Sequence, residues 1–184
     1  QNLLSWYPYP YLSTTDSSGS HTAVAVSDAM DETELAAALL LRADLSAETG
    51  SEDAITLTTI SRAASAPKKI VVSLLKNLPA TYSSLLPANA GTLTDRALLL
   101  CTGTGDDRTL LIVSADGSCL MEAAMLLVDD TRVSQETTSL TYVAKDASQL
   151  MRDALAYSDN NATYTLSNLA GGGLSYVGPF HQKQ

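Results

Sequence analysis

The chain has 184 residues, 45% hydrophobic and 17% charged, with mean hydropathy +0.05, a composition that excludes a disordered chain and fits a single folded domain. A formal charge of -9 and a pI near 4.5 argue against a nucleic-acid partner, because Lys68-Lys69 is the only adjacent basic pair. Apolar runs such as Ala36 to Leu41 fall far short of the roughly 20 residues needed to cross a bilayer, so no direct membrane span is expected.

The opening stretch, residues 1–20, begins with Gln1 in place of a methionine, so an upstream segment is expected to have been removed or left out. It holds the single Trp, two Pro and a Ser/Thr/Gly tract, and reads as an extended N-terminal arm whose Trp6, Tyr7, Tyr9 and Tyr11 pack on something. Residues 21–184 then form the domain proper. His21 to Val26 alternates like a short strand, and Asp31 with Glu34 makes a capping box that starts a helix over about Glu32 to Ala43. A Ser/Glu/Gly-rich loop is expected up to Asp53, followed by a β-branched, alternating strand from Ala54 to Ser61.

Ser65 and Pro67 open a second expected helix, with Ile70, Val71, Leu74, Leu75 and Leu78 at helical spacing and Pro79 as its stop. The stretch from Leu93 to Asp130 fits either a β-meander turning at Gly105-Asp106 and Asp116-Gly117, or two helices interrupted by glycine. In the meander Cys101 faces Leu110 and Cys119 faces Ser114 on strands too far apart for a disulfide, and free thiols follow. Near the C-terminus, Asp146 with Gln149 caps a third helix bearing Leu150, Met151, Ala154 and Leu155, and Ala162 to Leu166 returns as a strand.

Catalytic chemistry is sparse. His21 and His181 are the only imidazoles, and neither has the spacing of a zinc-binding helix. The acidic group Asp28, Asp31, Glu32 and Glu34 lies at a helix start, where capping explains it better than a cation. Gly171-Gly-Gly173 lacks a following Lys-Ser/Thr and reads as a turn rather than a phosphate loop. No metal or cofactor is expected. One enzymatic alternative stands: Asp116-Gly-Ser-Cys119-Leu resembles the cysteine-helix signature of ovarian-tumour-type deubiquitinases, with Cys119 as nucleophile, His181 as base and Asp116 nearby. A secreted or surface interaction module is the other alternative, suggested by the opening residue and by the sequon Asn161-Ala-Thr163.

The order of segments resembles the C-terminal domain of the pitrilysin and mitochondrial processing peptidase family, most closely its core-2 branch in respiratory complex III. The likeness rests on Ser20 to Val26 and the helix after it, on Ile55 to Ala64 with the segment Ile70 to Leu78, on Leu140 to Asp146, and on Tyr164 to Gly171. It implies an α+β fold with a mostly antiparallel sheet covered by helices on one side, and helices over Leu93 to Val113 and Gly117 to Val128. The family's zinc motif belongs to a different domain, so no catalytic residue carries over. What the resemblance implies is a non-catalytic subunit on the matrix side of the mitochondrial inner membrane, paired with a second peptidase-like chain.

Overall fold

The computed structural model describes residues 2–13, 18–51 and 54–145, which lie almost wholly within the compact unit Gln1–Ala144. The expectations for Asp146 and Gln149, Ala162 to Leu166, Asn161, Gly171 to Gly173 and His181 lie outside the described residues.

Among the described residues six strands form one sheet in the order β2-β1-β3-β5-β4-β6: β1 Thr22–Val26, β2 Thr56–Thr59, β3 Lys68–Leu74, β4 Arg96–Thr104, β5 Asp107–Ser114 and β6 Leu140–Ala144. The pairs β1–β2, β1–β3 and β3–β5 are parallel, whereas β4 is antiparallel to both β5 and β6. The α+β class therefore holds with a mixed sheet, not the mostly antiparallel one expected. Only β4 runs against the other five strands.

The two long helices among the described residues, α1 Glu32–Thr49 and α3 Gly117–Val128, cover one face of the sheet. Their buried Ala37, Ala38, Leu41, Leu45, Leu120, Ala123, Ala124 and Leu127 meet Val24, Val26, Ile70, Val72, Leu99, Leu110 and Ile112. Between them in sequence comes the single turn α2, Ala80–Ser83, and after α3 the short α4, Asp130–Val133. The second face is built on Ala23, Ala25, Val71, Leu98, Leu111 and Val113, and is covered by the connections after β2 and β3 through Ile60, Ala63, Leu78, Tyr82 and Leu93. No helix among the described residues is long and apolar enough to cross a membrane.

The start of α1 is the one the capping box predicts. Asp31 accepts from the Thr33 and Glu34 amides, and the Glu34 side chain accepts from the Asp31 amide in return. The helix continues past Ala43 to Thr49, through the Ser/Glu stretch expected to be a loop. It stops at Gly50, whose φ of +79° closes the last turn in the left-handed region open to glycine.

Ile70 to Leu78 is the main departure. The segment is not a helix: Lys68–Leu74 is β3, in register with β1 on one side and β5 on the other. A central parallel strand is buried on both faces, so it shows a continuous apolar run with no alternation, and such a run also satisfies helical spacing. The β-branched Ile70-Val-Val72 was the available signal for a strand. The stretch from Leu93 to Asp130 combines the two readings. Arg96–Thr104 and Asp107–Ser114 form a hairpin, with Cys101 opposite Leu110, and Asp116 then caps α3 by accepting from the Ser118 amide. The helix that the resemblance implied over Leu93 to Val113 is therefore replaced by strands, and Cys119 lies in α3 rather than on a strand facing Ser114.

On α1, Asp44 is half-buried. Burial first, then the neighbouring Glu48 and Asp130 carboxylates, push its pKa up to about 6. The folded pKa thus lies above the unfolded value of about 3.9. The group favours the folded state fully below that value, and the contribution is lost as pH rises through the folded pKa. Asp44→Asn is expected to raise stability at about pH 7.5 by about 1 kcal/mol, reduced from the full linkage value by solvent screening, and to change little at about pH 3.5. Thermal unfolding of both proteins across that range checks this.

Candidate functional site

In a sheet of parallel strands the connections leave from the carboxyl ends, and where neighbouring connections depart toward opposite faces a crevice opens between them. Here β1 is followed by α1 on the first face, whereas the chain leaves β2 and β3 over the second face. The resulting crevice, about 570 Å³, is lined by Asp28 and Ala29 after β1, by Ile60, Ser61 and Ala64 after β2, and by Asn77, Pro79, Thr81 and Tyr82 after β3. Lys69, the second residue of β3 and so near the amino end of that strand, completes the lining.

The three loops are held to one another. Glu34 is fully buried in the first turn of α1 and accepts from five directions: the Ser27 hydroxyl at 2.8 Å, the Asp31 amide at 2.8 Å, the Leu74 amide at 2.7 Å, and the Asn77 amide group at 3.3 and 3.4 Å to its two oxygens. One carboxylate thereby joins the end of β1, the start of α1 and the end of β3. Asn77 also donates to the Ala29 carbonyl at 3.5 Å. On the other side, Ser61 donates its amide to Asp28 at 3.1 Å, and the Ser61 hydroxyl and amide hold the Asp28 carboxyl below the usual range. Tyr82 is shifted up, by burial first and then by the Asp107 carboxylate.

Lys69 is only 8% exposed. Its ammonium donates to the Ala64 carbonyl at 3.4 Å, a long hydrogen bond that uses one of three donors. Sequence reasoning saw Lys69 only as half of a basic pair. Its signal was an ionisable residue entering a β-branched run, a position that a strand reading would have placed inside the sheet.

The aromatic segment differs from the expected extended arm. Leu4, Tyr7, Tyr11 and Leu12 are buried in the core beneath α1 and α3, and Leu4–Trp6 forms a 3-10 turn. The backbone is bonded to the chain before β6, Leu4 to Thr138 at 2.9 Å and Ser5 to Glu136 at 2.7 Å. Asn2 donates to the Gly103 carbonyl and accepts from Arg108, and the Thr22 hydroxyl donates to the Tyr11 carbonyl. The Tyr7-Pro8 and Tyr9-Pro10 bonds are cis. Of the four aromatic residues singled out, Tyr7 and Tyr11 thus belong to the chain's own interior. Trp6 and Tyr9 remain 39% and 47% exposed, edge to face with ring centroids 6.1 Å apart.

Cys119 is fully buried in the first turn of α3, packed into the core under the sheet. No substrate carbonyl reaches a sulfur placed there without unpacking the helix. Asp116 is occupied as the N-cap, taking both the amide and the hydroxyl of Ser118. Cys101 and Cys119 form no disulfide, and burial pushes Cys101 up to about 11, well above the range of a reactive thiolate. Among the described residues no group of three or more His, Cys, Asp or Glu side chains is arranged to hold a metal ion. No protein-family model and no curated protein matches this chain.

Proposed function

We propose that this domain works by binding a protein partner within a larger assembly rather than by covalent chemistry at Cys119. The observation that carries the reading is the contrast within one short segment. Leu4, Tyr7, Tyr11 and Leu12 anchor it in the core, while Trp6 and Tyr9 stand exposed as a paired aromatic surface on that anchored base. Exposed Trp and Tyr on a rigid support are the residues that dominate protein interfaces, since they bury a large area at little conformational cost.

In its finer form the proposal makes the partner a second peptidase-like chain and the assembly a respiratory complex on the matrix side of the inner membrane. That form leans on the β1–α1 unit and on β2, and it loses the support of Ile70 to Leu78, which is strand up to Leu74 and then a 3-10 turn over Leu75–Asn77. The test is native purification from the source with mass spectrometry of co-migrating proteins, comparing the parent with a Trp6→Ala/Tyr9→Ala variant. A partner bound by the parent and weakened tenfold or more in the variant, whose stability changes by less than about 1 kcal/mol, is the expected result. Retention of the same partner at full occupancy by the variant refutes the aromatic surface.

A further inference from the structure

We infer that the crevice that opens at the carboxyl ends of β2, β1 and β3 and reaches back to Lys69, near the amino end of β3, is a binding site for an elongated small organic acid, its carboxylate on Lys69 and a hydrogen-bond donor at its far end on Asp28. The inference is independent of the aromatic surface and rests on three observations. The first is place: loops from three neighbouring parallel strands converge on one cavity, at the end of the sheet where open α/β sheets bind ligands. Its volume of about 570 Å³ suits a small metabolite.

The second is the state of Lys69. Burying an ammonium is costly unless it is paired, and here a side chain that is 8% exposed makes one long bond to a neutral carbonyl and no ion pair among the described residues. Two of its donors are left for a guest. A carboxylate is the acceptor that uses them best, since charge-assisted hydrogen bonds are about twice as strong as neutral ones.

The third is the spacing and chemistry of the rest of the lining. Lys69 pairs in register with Ala23, and Asp28 lies five residues further along the same chain. Ala23 to Val26, the strand part of that path, spans roughly 10 Å at about 3.3 Å per residue, and Asp28 follows the end of the strand, so the two residues stand toward opposite ends of one cavity that touches both side chains. Between them Ile60, Ala64 and Pro79 offer an apolar wall, and Ser61, Thr81 and Tyr82 add hydroxyls. Asp28 is held as a carboxylate by Ser61 and accepts hydrogen bonds at the mouth. A molecule with an anion at one end, a short apolar middle and a donor at the other fits this order. A compact or purely cationic one does not.

The experiment is calorimetric titration of the full chain with three probes of similar length: ε-aminohexanoate, hexanoate and hexylamine. The expected order is ε-aminohexanoate tightest, hexanoate weaker, and hexylamine not bound. Lys69→Met is expected to weaken both acids about tenfold or more, and Asp28→Asn to weaken ε-aminohexanoate while leaving hexanoate unchanged. Should Lys69→Met fail to fold, acylation of Lys69 in the parent, followed by peptide mass spectrometry, replaces it, with ε-aminohexanoate expected to protect the amine. Equal binding of all three probes, no binding of either acid at millimolar concentration, or an acid that leaves Lys69 unprotected overturns the inference.

Discussion

Glu34→Ala is expected to remove about 3–5 kcal/mol of stability, a large part of the 5–15 kcal/mol typical of a domain, measured as a fall in the midpoint of urea unfolding with an unchanged slope. The side chain is fully buried, and its two oxygens serve the Leu74 and Asp31 amides, the Ser27 hydroxyl and the Asn77 amide group. Truncation leaves the Leu74 amide, a buried donor at the end of a central strand, without an acceptor, and each such orphan costs about 1–3 kcal/mol. It also removes half of the capping box of α1. Glu34→Gln is expected to fall between the parent and Glu34→Ala, because replacing either oxygen by an amide NH2 sets a donor against a donor. If Glu34→Ala unfolds within about 1 kcal/mol of the parent, water fills the site and the carboxylate is not what joins the ends of β1 and β3.

Deletion of residues 1–12 is expected to abolish cooperative unfolding, not merely to weaken a partner. Leu4, Tyr7, Tyr11 and Leu12 are each 8% exposed or less, and burying each side chain contributes about 1.5–3 kcal/mol, so together they match the whole net stability of a domain. The segment is further tied to the chain before β6 by the Leu4 and Ser5 amides. Near-ultraviolet circular dichroism and a thermal melt of the truncated chain are the measurements. A truncated protein that still melts sharply, within a few degrees of the parent, shows that the segment is an appendage after all. This outcome also bears on the partner reading. A deletion cannot separate lost folding from lost binding, whereas the Trp6→Ala/Tyr9→Ala variant can, because those two rings contribute little to the core.

These expectations depend on features of unequal legibility. Local chemistry was readable. Asp31 and Glu34 announce the first turn of α1 because a capping box is made entirely within four residues, and Thr22 to Val26 and Thr56 to Thr59 carry the β-branched or alternating pattern of strands. The stretch before and through α3 was not decided locally: its pattern fits a meander or two helices equally, and a helix over Gly117 to Val128 was expected only from the resemblance. Glu34 was readable as a cap but not as a clamp, since its partners Leu74 and Asn77 lie 40 and 43 residues away. The aromatic segment misled for a related reason: Pro, Ser and Gly mark an irregular backbone, and irregular backbone is as compatible with a packed segment as with an extended one.

By itself, then, the sequence determined what depends on neighbours along the chain: the α+β class, the first strand, the capped start of α1, and the acidic balance that disfavours nucleic acid. Only the tertiary structure decided what depends on burial. It made Ile70 to Leu74 a strand, because enclosure by β1 and β5 erases the alternation that periodicity needs. It sank Cys119 and Tyr11 into the core while leaving Trp6 exposed, and it assembled Asp28, Ser61 and Asn77, which follow β1, β2 and β3, around one crevice. Parallel pairing brings the ends of distant strands together at a single edge of the sheet, and no local pattern records which ends those are.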